Sequence, residues 1–96
     1  MEVLVAYDVS TETAQGRARL RRVAKICEGY GQRVQKSVFE CILNAGQLEM
    51  LKHRLARVVK VDEDSLRIYR LQEPREQYLQ VIGKPQKHDL RDPLIL

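Results

Sequence analysis

The spacing of hydrophobic and polar residues changes along the chain, and each change predicts a new element. Residues 3–9 are mostly apolar and rich in valine, a composition typical of a β-strand. Residues 11–30 place apolar side chains three and four positions apart, which predicts a helix with one buried face. That face would consist of Leu20, Val23, Ala24 and Cys27. Helical spacing returns over residues 47–59, and residues 65–72 predict another strand.

Residues 32–43 have the character of extended chain, with apolar groups on both faces. One face carries Val34, Val38 and Ile42, and the other carries Phe39, Cys41 and Leu43. Apolar side chains on both faces imply that both sides of the sheet become covered. An antiparallel sheet requires the chain to reverse here, although no Asn-Gly or Asp-Gly turn is present. We place the reversal near Lys36 and Ser37, and a single bent strand is the alternative.

The predicted order is strand, helix, extended segment, helix and strand, followed by a short strand over residues 78–82. Two helices can cover one face of a four-stranded sheet, which makes the fold class α+β. The opposite face would need a second subunit, so the pattern predicts a homodimer. Residues 1–83 form the predicted domain. Residues 84–96 are an extension whose apolar end, residues 94–96, should dock at the dimer interface or on its own subunit.

The distribution of charged residues indicates which class of molecule the chain binds. The chain carries a net charge of +4, but its basic residues are concentrated in residues 15–36, where Glu28 is the only acidic residue. The basic residues of this block are Arg17, Arg19, Arg21, Arg22, Lys25, Arg33 and Lys36. Arginine suits bidentate contacts with phosphate, so the block favours nucleic-acid binding over the alternative of a solvated helix face.

The sequence also indicates the cellular setting. It contains neither an apolar run of bilayer length nor the basic start of a signal peptide, so we expect a cytoplasmic protein without membrane contact. Its cysteines, Cys27 and Cys41, have no partners at zinc-binding spacing. We therefore expect buried free thiols, and a disulfide between them is the less favoured alternative.

Asp8 is the candidate residue for chemistry. It ends the first apolar strand and is followed by Val9, Ser10, Thr11 and the basic helix. A strand would fix the direction of its carboxylate, and the loop after it would leave room for a metal and a substrate. A carboxylate at this position can also simply order the turn into the helix, and spacing alone favours that simpler role.

Several segments together resemble one known family. They are Tyr7-Asp8-Val9-Ser10, the basic helix, residues 33–40 (Arg-Val-Gln-Lys-Ser-Val-Phe-Glu), residues 67–69 (Arg-Ile-Tyr) and residues 81–83 (Val-Ile-Gly). Over most of its length the chain is similar to the small CRISPR-associated adaptation protein, the second of that system's two universal core members. The run within residues 33–40 is the most specific of these elements.

The resemblance implies a ferredoxin-like βαββαβ fold with an extra C-terminal strand, assembled as a homodimer. It implies a metal-dependent endonuclease acting on RNA or DNA, and a bridging role beside the integrase that inserts new spacers into the CRISPR array. Asp8 would be the catalytic and Mg²⁺-binding position. The family positions near the dimer cleft match Tyr7, Arg33, Ser37 and Phe39. These four residues are expected nucleic-acid contacts. The basic helix adds three more expected contacts, Arg17, Arg19 and Arg22.

The residues also constrain the chemistry. One carboxylate makes a poor Mg²⁺ site, whereas two Asp8 side chains facing each other across a two-fold axis make a better one. A metal there could polarise phosphate and activate water, with Arg33 or a helix arginine offsetting the developing charge. A non-catalytic adaptor dimer that grips a nucleic-acid backbone is the main alternative function. For Phe39 and Tyr7, the alternative role is simply to pack the core. For Ser37, the alternative is a hydroxyl that only forms a hydrogen bond with the backbone.

Two further functions are less favoured. An RNA-recognition module would read bases on exposed sheet aromatics, and the aromatic-rich motif that this requires is missing from the sequence. A regulatory dimer that binds a small ligand is disfavoured by the arginine-rich block at residues 15–36.

Overall fold

The structure, a computed structural model, describes residues 1–84. Its elements in chain order are β1 (Glu2–Asp8), α1 (Ala14–Glu28), β2 (Gly31–Gln35), β3 (Val38–Ile42), α2 (Ala45–Ala56), β4 (Ser65–Arg70) and α3 (Arg75–Tyr78). The four strands of this part of the chain form one antiparallel sheet with the order β2-β3-β1-β4. This arrangement confirms the predicted α+β class and the ferredoxin-like order of elements.

Alternation along β1 gives the sheet two different faces. The odd-numbered residues 3–7 are buried against the helices, whereas the even-numbered residues 4–8 point the other way and are partly or fully exposed. We call this second side of the sheet the open face. Its members include Leu4, Ala6 and Asp8 of β1, Val38, Glu40 and Ile42 of β3, and Ser65, Arg67 and Tyr69 of β4.

The core lies between the sheet and the two long helices. Val23 and Cys27 of α1, Leu51 and Leu55 of α2, and Phe39 of β3 are fully or almost fully buried in one cluster. The predicted helix face is therefore confirmed, with Leu20 and Ala24 packed against the edge of the same cluster. Burying each of the large aliphatic or aromatic side chains stabilises the fold by about 1.5–3 kcal/mol.

The chain reversal lies where the sequence placed it. β2 ends at Gln35, β3 begins at Val38, and Lys36 and Ser37 form the turn between them, so the alternative of a single bent strand is wrong. The register shifts between Arg33 and Gln35, which marks a bulge in β2.

Both long helices begin with a side-chain cap that fixes their first turn. The Thr13 hydroxyl accepts a hydrogen bond from the backbone N–H of Gly16 at 3.0 Å. Asn44 and Gln47 form a capping box with two hydrogen bonds of 2.8 Å, so α2 begins two residues before the predicted start. Within residues 1–84, no helix has the length and apolar character that crossing a membrane requires.

The predicted short strand over residues 78–82 is wrong. Residues 75–78 form a single helical turn, and residues 79–84 add no strand to the sheet. The reason is Arg75, which is only 6% exposed and forms ion pairs with the carboxylates of Glu2 and Glu40 on the open face. This buried contact draws the segment across the open face instead of along a sheet edge. The predicted docking of residues 94–96 lies outside the described residues, and the domain boundary at 83 stays a prediction.

Both cysteines are free and buried, as the sequence predicted. Burial raises the pKa of the Cys27 thiol to about 12, with a smaller contribution from neighbouring Cys41. Burial likewise raises the pKa of the Cys41 thiol to about 11. Both therefore stay protonated at neutral pH and behave as small apolar side chains of the core.

Candidate functional site

Asp8 is held at the end of a central strand. Its register partner on β4 is Ser65, the first residue of that strand. On the other side of β1, the backbone N–H of Tyr7 donates to the carbonyl of Ser37 at 3.1 Å, which brings the β2–β3 turn alongside. Asp8 itself is exposed and belongs to the open face. The strands on both sides therefore fix its backbone while its carboxylate remains accessible from solvent.

The loop that follows Asp8 is anchored by a buried carboxylate, Asp64. One oxygen of Asp64 accepts from the backbone N–H of Ser10 at 3.1 Å, and the other accepts from Arg19 Nε at 2.9 Å and from the Lys60 N–H at 2.8 Å. The Arg19 guanidinium, followed by the Lys60 and Ser10 N–H groups, lowers the Asp64 pKa to about 2. Asp64 therefore remains ionised and ties the loop to α1 and to the turn before β4.

The same loop packs tightly against the first turn of α1. A Cβ atom on Gly16 would lie 2.0 Å from the carbonyl oxygen of Ser10, so only glycine permits this approach. The next residue of α1 also contacts this loop. The Arg17 guanidinium donates to the carbonyl of Thr11 at 3.0 Å and remains exposed. Arg17, in the first turn of α1, is thus the predicted arginine that contacts the loop next to Asp8.

Three other predicted contacts lie together on the helix-facing side of the sheet. The rings of Tyr7 and Phe39 are stacked with centroids 6.3 Å apart, and the Arg33 guanidinium lies 5.1 Å from the Phe39 centroid. The Tyr7 hydroxyl donates to the carbonyl of Lys36 at 3.4 Å, and burial raises the Tyr7 pKa. Phe39 is 0% exposed, so it packs in the core and offers no ring face to a base. This cluster supports the β2–β3 corner beneath Asp8.

The predicted nucleic-acid residues therefore separate into four locations. Ser37 and Arg17 lie at the end of the sheet that carries Asp8. Arg19 is engaged by Asp64 and also by Glu63 at 3.3 Å, with its side chain only 13% exposed. Arg22 lies farther along α1, in a groove beside α2. Tyr7, Phe39 and Arg33 lie together on the helix-facing side of the sheet, opposite to Asp8.

Sequence reasoning missed Ser65 and Asp64, the neighbours that frame Asp8 and its loop. Strand register and long-range hydrogen bonds bring them there, and neither is visible in local spacing. Within residues 1–84, no three His, Cys, Asp or Glu side chains converge as a metal site. Mg²⁺ is often held by one or two carboxylates and keeps several waters, so an exposed Asp8 fits it as one ligand but needs a second from elsewhere.

Comparison with known proteins identifies related sequences along the whole chain. The family model described as CRISPR associated protein Cas2 matches residues 1–78, a range that includes every candidate residue named above. The CRISPR-associated endoribonuclease Cas2 1 of Moorella thermoacetica is 54% identical over 96 residues, which is 100% of both chains. The CRISPR-associated endonuclease Cas2 of Halalkalibacterium halodurans is 50% identical over 95 residues, or 99% of each chain. The crystal structure of Streptococcus pyogenes Cas2 matches with a TM-score of 0.78 and 48% identity, covering 86% of this chain and 100% of that one.

Proposed function

The chain belongs to the CRISPR-associated protein Cas2 family, and from this premise we propose that it is a cytoplasmic endonuclease of CRISPR adaptation that cleaves phosphodiester bonds in RNA or DNA. The observation that carries the proposal is the placement of Asp8, exposed at the end of a central strand beside an anchored loop. The two relatives are named as an endoribonuclease and an endonuclease, so both kinds of nucleic acid remain candidate substrates.

The active form in this proposal is a homodimer joined through the open face. That face carries partly buried Leu4 and Val38 together with Ile42 and Tyr69, which are 60% and 45% exposed. Covering these side chains with a second copy would remove apolar surface from water. A two-fold axis near the end of β1 would then bring Asp8 of each copy to the same place.

In the dimer, the paired Asp8 carboxylates hold Mg²⁺, which supplies charge neutralisation at phosphate and a bound water of lowered pKa. Each chain contributes the remaining parts through its own residues. Arg17, exposed in the first turn of α1 and bonded to the adjacent loop, contacts a phosphate of the bound strand. The Asp64–Ser10 hydrogen bond keeps that loop in register with Asp8, so the two side chains reach the same phosphodiester.

Cleavage by an Asp8→Asn variant tests this function. We expect the wild type to cleave single-stranded RNA or duplex DNA in a Mg²⁺ series, and the variant to lose at least about 100-fold in rate because it lacks the anionic ligand. Glu12→Gln, which neutralises an exposed carboxylate in the neighbouring loop, is the matched control and should cleave normally. Light scattering should give the mass of a dimer. Unchanged cleavage by Asp8→Asn, or a monomer at micromolar concentration, would contradict the paired-carboxylate mechanism.

A non-catalytic adaptor is the second candidate function, because the described part of one chain gathers no complete set of metal ligands. In this case the dimer grips a nucleic-acid backbone and docks the integrase of the same system. A wild-type protein that binds DNA with a steep salt dependence but cleaves neither substrate at any Mg²⁺ concentration would favour this function over the first.

A further inference from the structure

The open face carries a cation close to Asp8. Arg67 of β4 is the register partner of Ala6 on β1, just as Ser65 is the register partner of Asp8. Because alternate residues of a strand point to the same face, Arg67 and Asp8 share the open face as diagonal neighbours on adjacent strands. Side chains in this relation lie about 7–8 Å apart, a separation that a long side chain can bridge.

The guanidinium of Arg67 keeps most of its donors available. The side chain is exposed, and its Nη1 donates to the hydroxyl of Tyr69 at 3.0 Å. Among the ion pairs of residues 1–84, none includes Arg67. A guanidinium has five N–H donors, so the hydrogen bond to Tyr69 holds the side chain on the open face and leaves donors for an anion.

The arginines that the sequence suggested for charge neutralisation lie elsewhere. Arg33 is on the helix-facing side of the sheet, and Arg19 is held in an ion pair with a buried carboxylate. Arg17 contacts the loop after Asp8 and does not belong to the open face. Within residues 1–84, Arg67 is therefore the exposed arginine that the strands place on the face of Asp8.

We propose that Arg67 is a catalytic residue that contacts the phosphoryl group cleaved at Asp8, an inference that rests on the proposed nuclease function. In that hydrolysis, the oxygen of a water forms a bond to phosphorus and the bond from phosphorus to one ester oxygen breaks. The water loses a proton, and the departing oxygen takes one up. Negative charge on the phosphoryl and departing oxygens is redistributed in the transition state, and a guanidinium already fixed beside them stabilises it.

Tyr69 acts as a positioning residue for Arg67 in this arrangement. An exposed arginine samples many rotamers, and ordering it costs conformational entropy. The Tyr69 hydroxyl accepts from Arg67 in the protein without substrate, so the guanidinium is restrained before the phosphodiester arrives. Tyr69 itself lies two residues along the same strand, on the same face, and is 45% exposed.

The position of Arg67 is compatible with the proposed dimer. β4 forms one edge of the sheet, and Arg67 lies two residues from Ser65, where β4 begins beside Asp8. Arg67 is therefore at a corner of the open face, whereas Leu4 and Ile42 lie farther from Asp8. A second copy that covers those apolar side chains leaves this corner at the rim of the interface, where a substrate at Asp8 also meets Arg67.

Steady-state cleavage of single-stranded RNA and duplex DNA tests the assignment. Arg67→Gln removes the charge, and Arg67→Lys keeps it without the planar fork of the guanidinium. The matched control is Arg70→Gln, which removes an exposed arginine from the helix-facing side of the same strand. Light scattering on each variant gives its mass at the concentration of the assay.

We expect Arg67→Gln to lose about 100-fold or more in kcat, the usual cost of removing one preorganised donor from a developing oxyanion. Its KM should change by less than about threefold, because the contact strengthens in the transition state. Arg67→Lys should retain about a tenth of the wild-type kcat. Tyr69→Phe should lose about tenfold in kcat at unchanged KM, because the guanidinium is then less well oriented.

Two results would overturn the proposal. One is a wild-type rate in Arg67→Gln, or a loss in Arg70→Gln as large as that in Arg67→Gln, because the effect would then be general electrostatics. The other is a rate that returns when Arg67→Gln is concentrated until it is dimeric, because Arg67 would then be an interface contact.

A measurement without cleavage separates this inference from the proposed function. In an Asp8→Asn protein in EDTA, a short single-stranded oligonucleotide should shift the Nε–H resonance of Arg67 and leave that of Arg70 in place. An active wild type whose Arg67 resonance does not shift would contradict this inference alone. A wild type that cleaves neither nucleic acid would contradict the proposed function, and the catalytic role of Arg67 with it.

Discussion

The Arg19–Asp64 pair gives the basic helix α1 a structural role, and Asp64→Ala is the substitution that tests it. The Asp64 side chain is fully buried and accepts hydrogen bonds from Ser10, Arg19 and Lys60. Removing it leaves two backbone N–H groups and one guanidinium without that partner. At about 1 kcal/mol for each lost bond, the free energy of unfolding should fall by about 3 kcal/mol. For a domain of this size that lowers Tm by roughly 12–24 °C.

The pH dependence of this effect has a definite sign. The folded-state pKa of Asp64 is about 2, below the value of about 3.9 for an unfolded chain. A lowered pKa means that folding favours the ionised carboxylate, so its contribution is fully present above about pH 5. The contribution declines as pH falls through about 4 and is lost near pH 2, where the folded-state carboxylate also protonates. The difference in stability between wild type and Asp64→Ala should therefore shrink over that range.

Urea denaturation of Arg19→Ala, Asp64→Ala and the double variant supplies the measurement. A double-mutant cycle should give a coupling of about 1–2 kcal/mol between the two side chains at pH 7. Arg17→Ala is the control, because Arg17 is exposed and donates only to the Thr11 carbonyl, so its loss should cost less than about 0.5 kcal/mol. A coupling near zero, or an Asp64→Ala protein as stable as the wild type, would refute the anchoring role assigned to Asp64.

Two other substitutions and one labelling experiment probe separate parts of the fold. Gly16→Ala should lower Tm sharply in a thermal melt, because its Cβ would lie 2.0 Å from the Ser10 carbonyl; an unchanged melt would show that the loop sits farther away. Arg75→Met should cost about 3 kcal/mol in urea denaturation, because it removes the buried ion pairs that Arg75 forms with Glu2 and Glu40, and a neutral effect would mean that this triad is not formed. Native protein at pH 8 should resist iodoacetamide, because burial holds the Cys27 pKa at about 12, whereas rapid labelling before unfolding would contradict that burial.

Local periodicity accounts for what the sequence could predict. The buried positions of α1 and the alternation along β3 depend on which side of an element faces the core, and that information is written in spacing of two to four residues. The reversal at Lys36 and Ser37 followed from the same logic, because an antiparallel sheet could not otherwise use both halves of residues 32–43. The exposed strand-end position of Asp8 followed from its place after the apolar run.

Pairing between distant residues could not be predicted in this way. The backbone N–H of Arg75 donates to the carboxylate of Glu2, which is 73 residues away, and the Ser10 N–H donates to Asp64 across 54 residues. Each pair looks like unrelated surface charge in the sequence, because charge carries no period that identifies its partner. The same limit explains the error at residues 78–82, whose alternating apolar side chains suggest a strand. A buried ion pair next to them decides instead that they cross the open face.

The accessibility of Asp8 is itself a consequence of packing on the other side of the sheet. Successive side chains of a strand point to opposite faces, so the register that buries Tyr7 against Phe39 must turn Asp8 outward. A slip of one residue would bury the carboxylate and expose the tyrosine, at the combined cost of an unpaired buried charge and lost aromatic packing. The apolar cluster under β1 therefore does more than stabilise the domain. It also fixes the face of the sheet on which Asp8 of a second copy would have to lie.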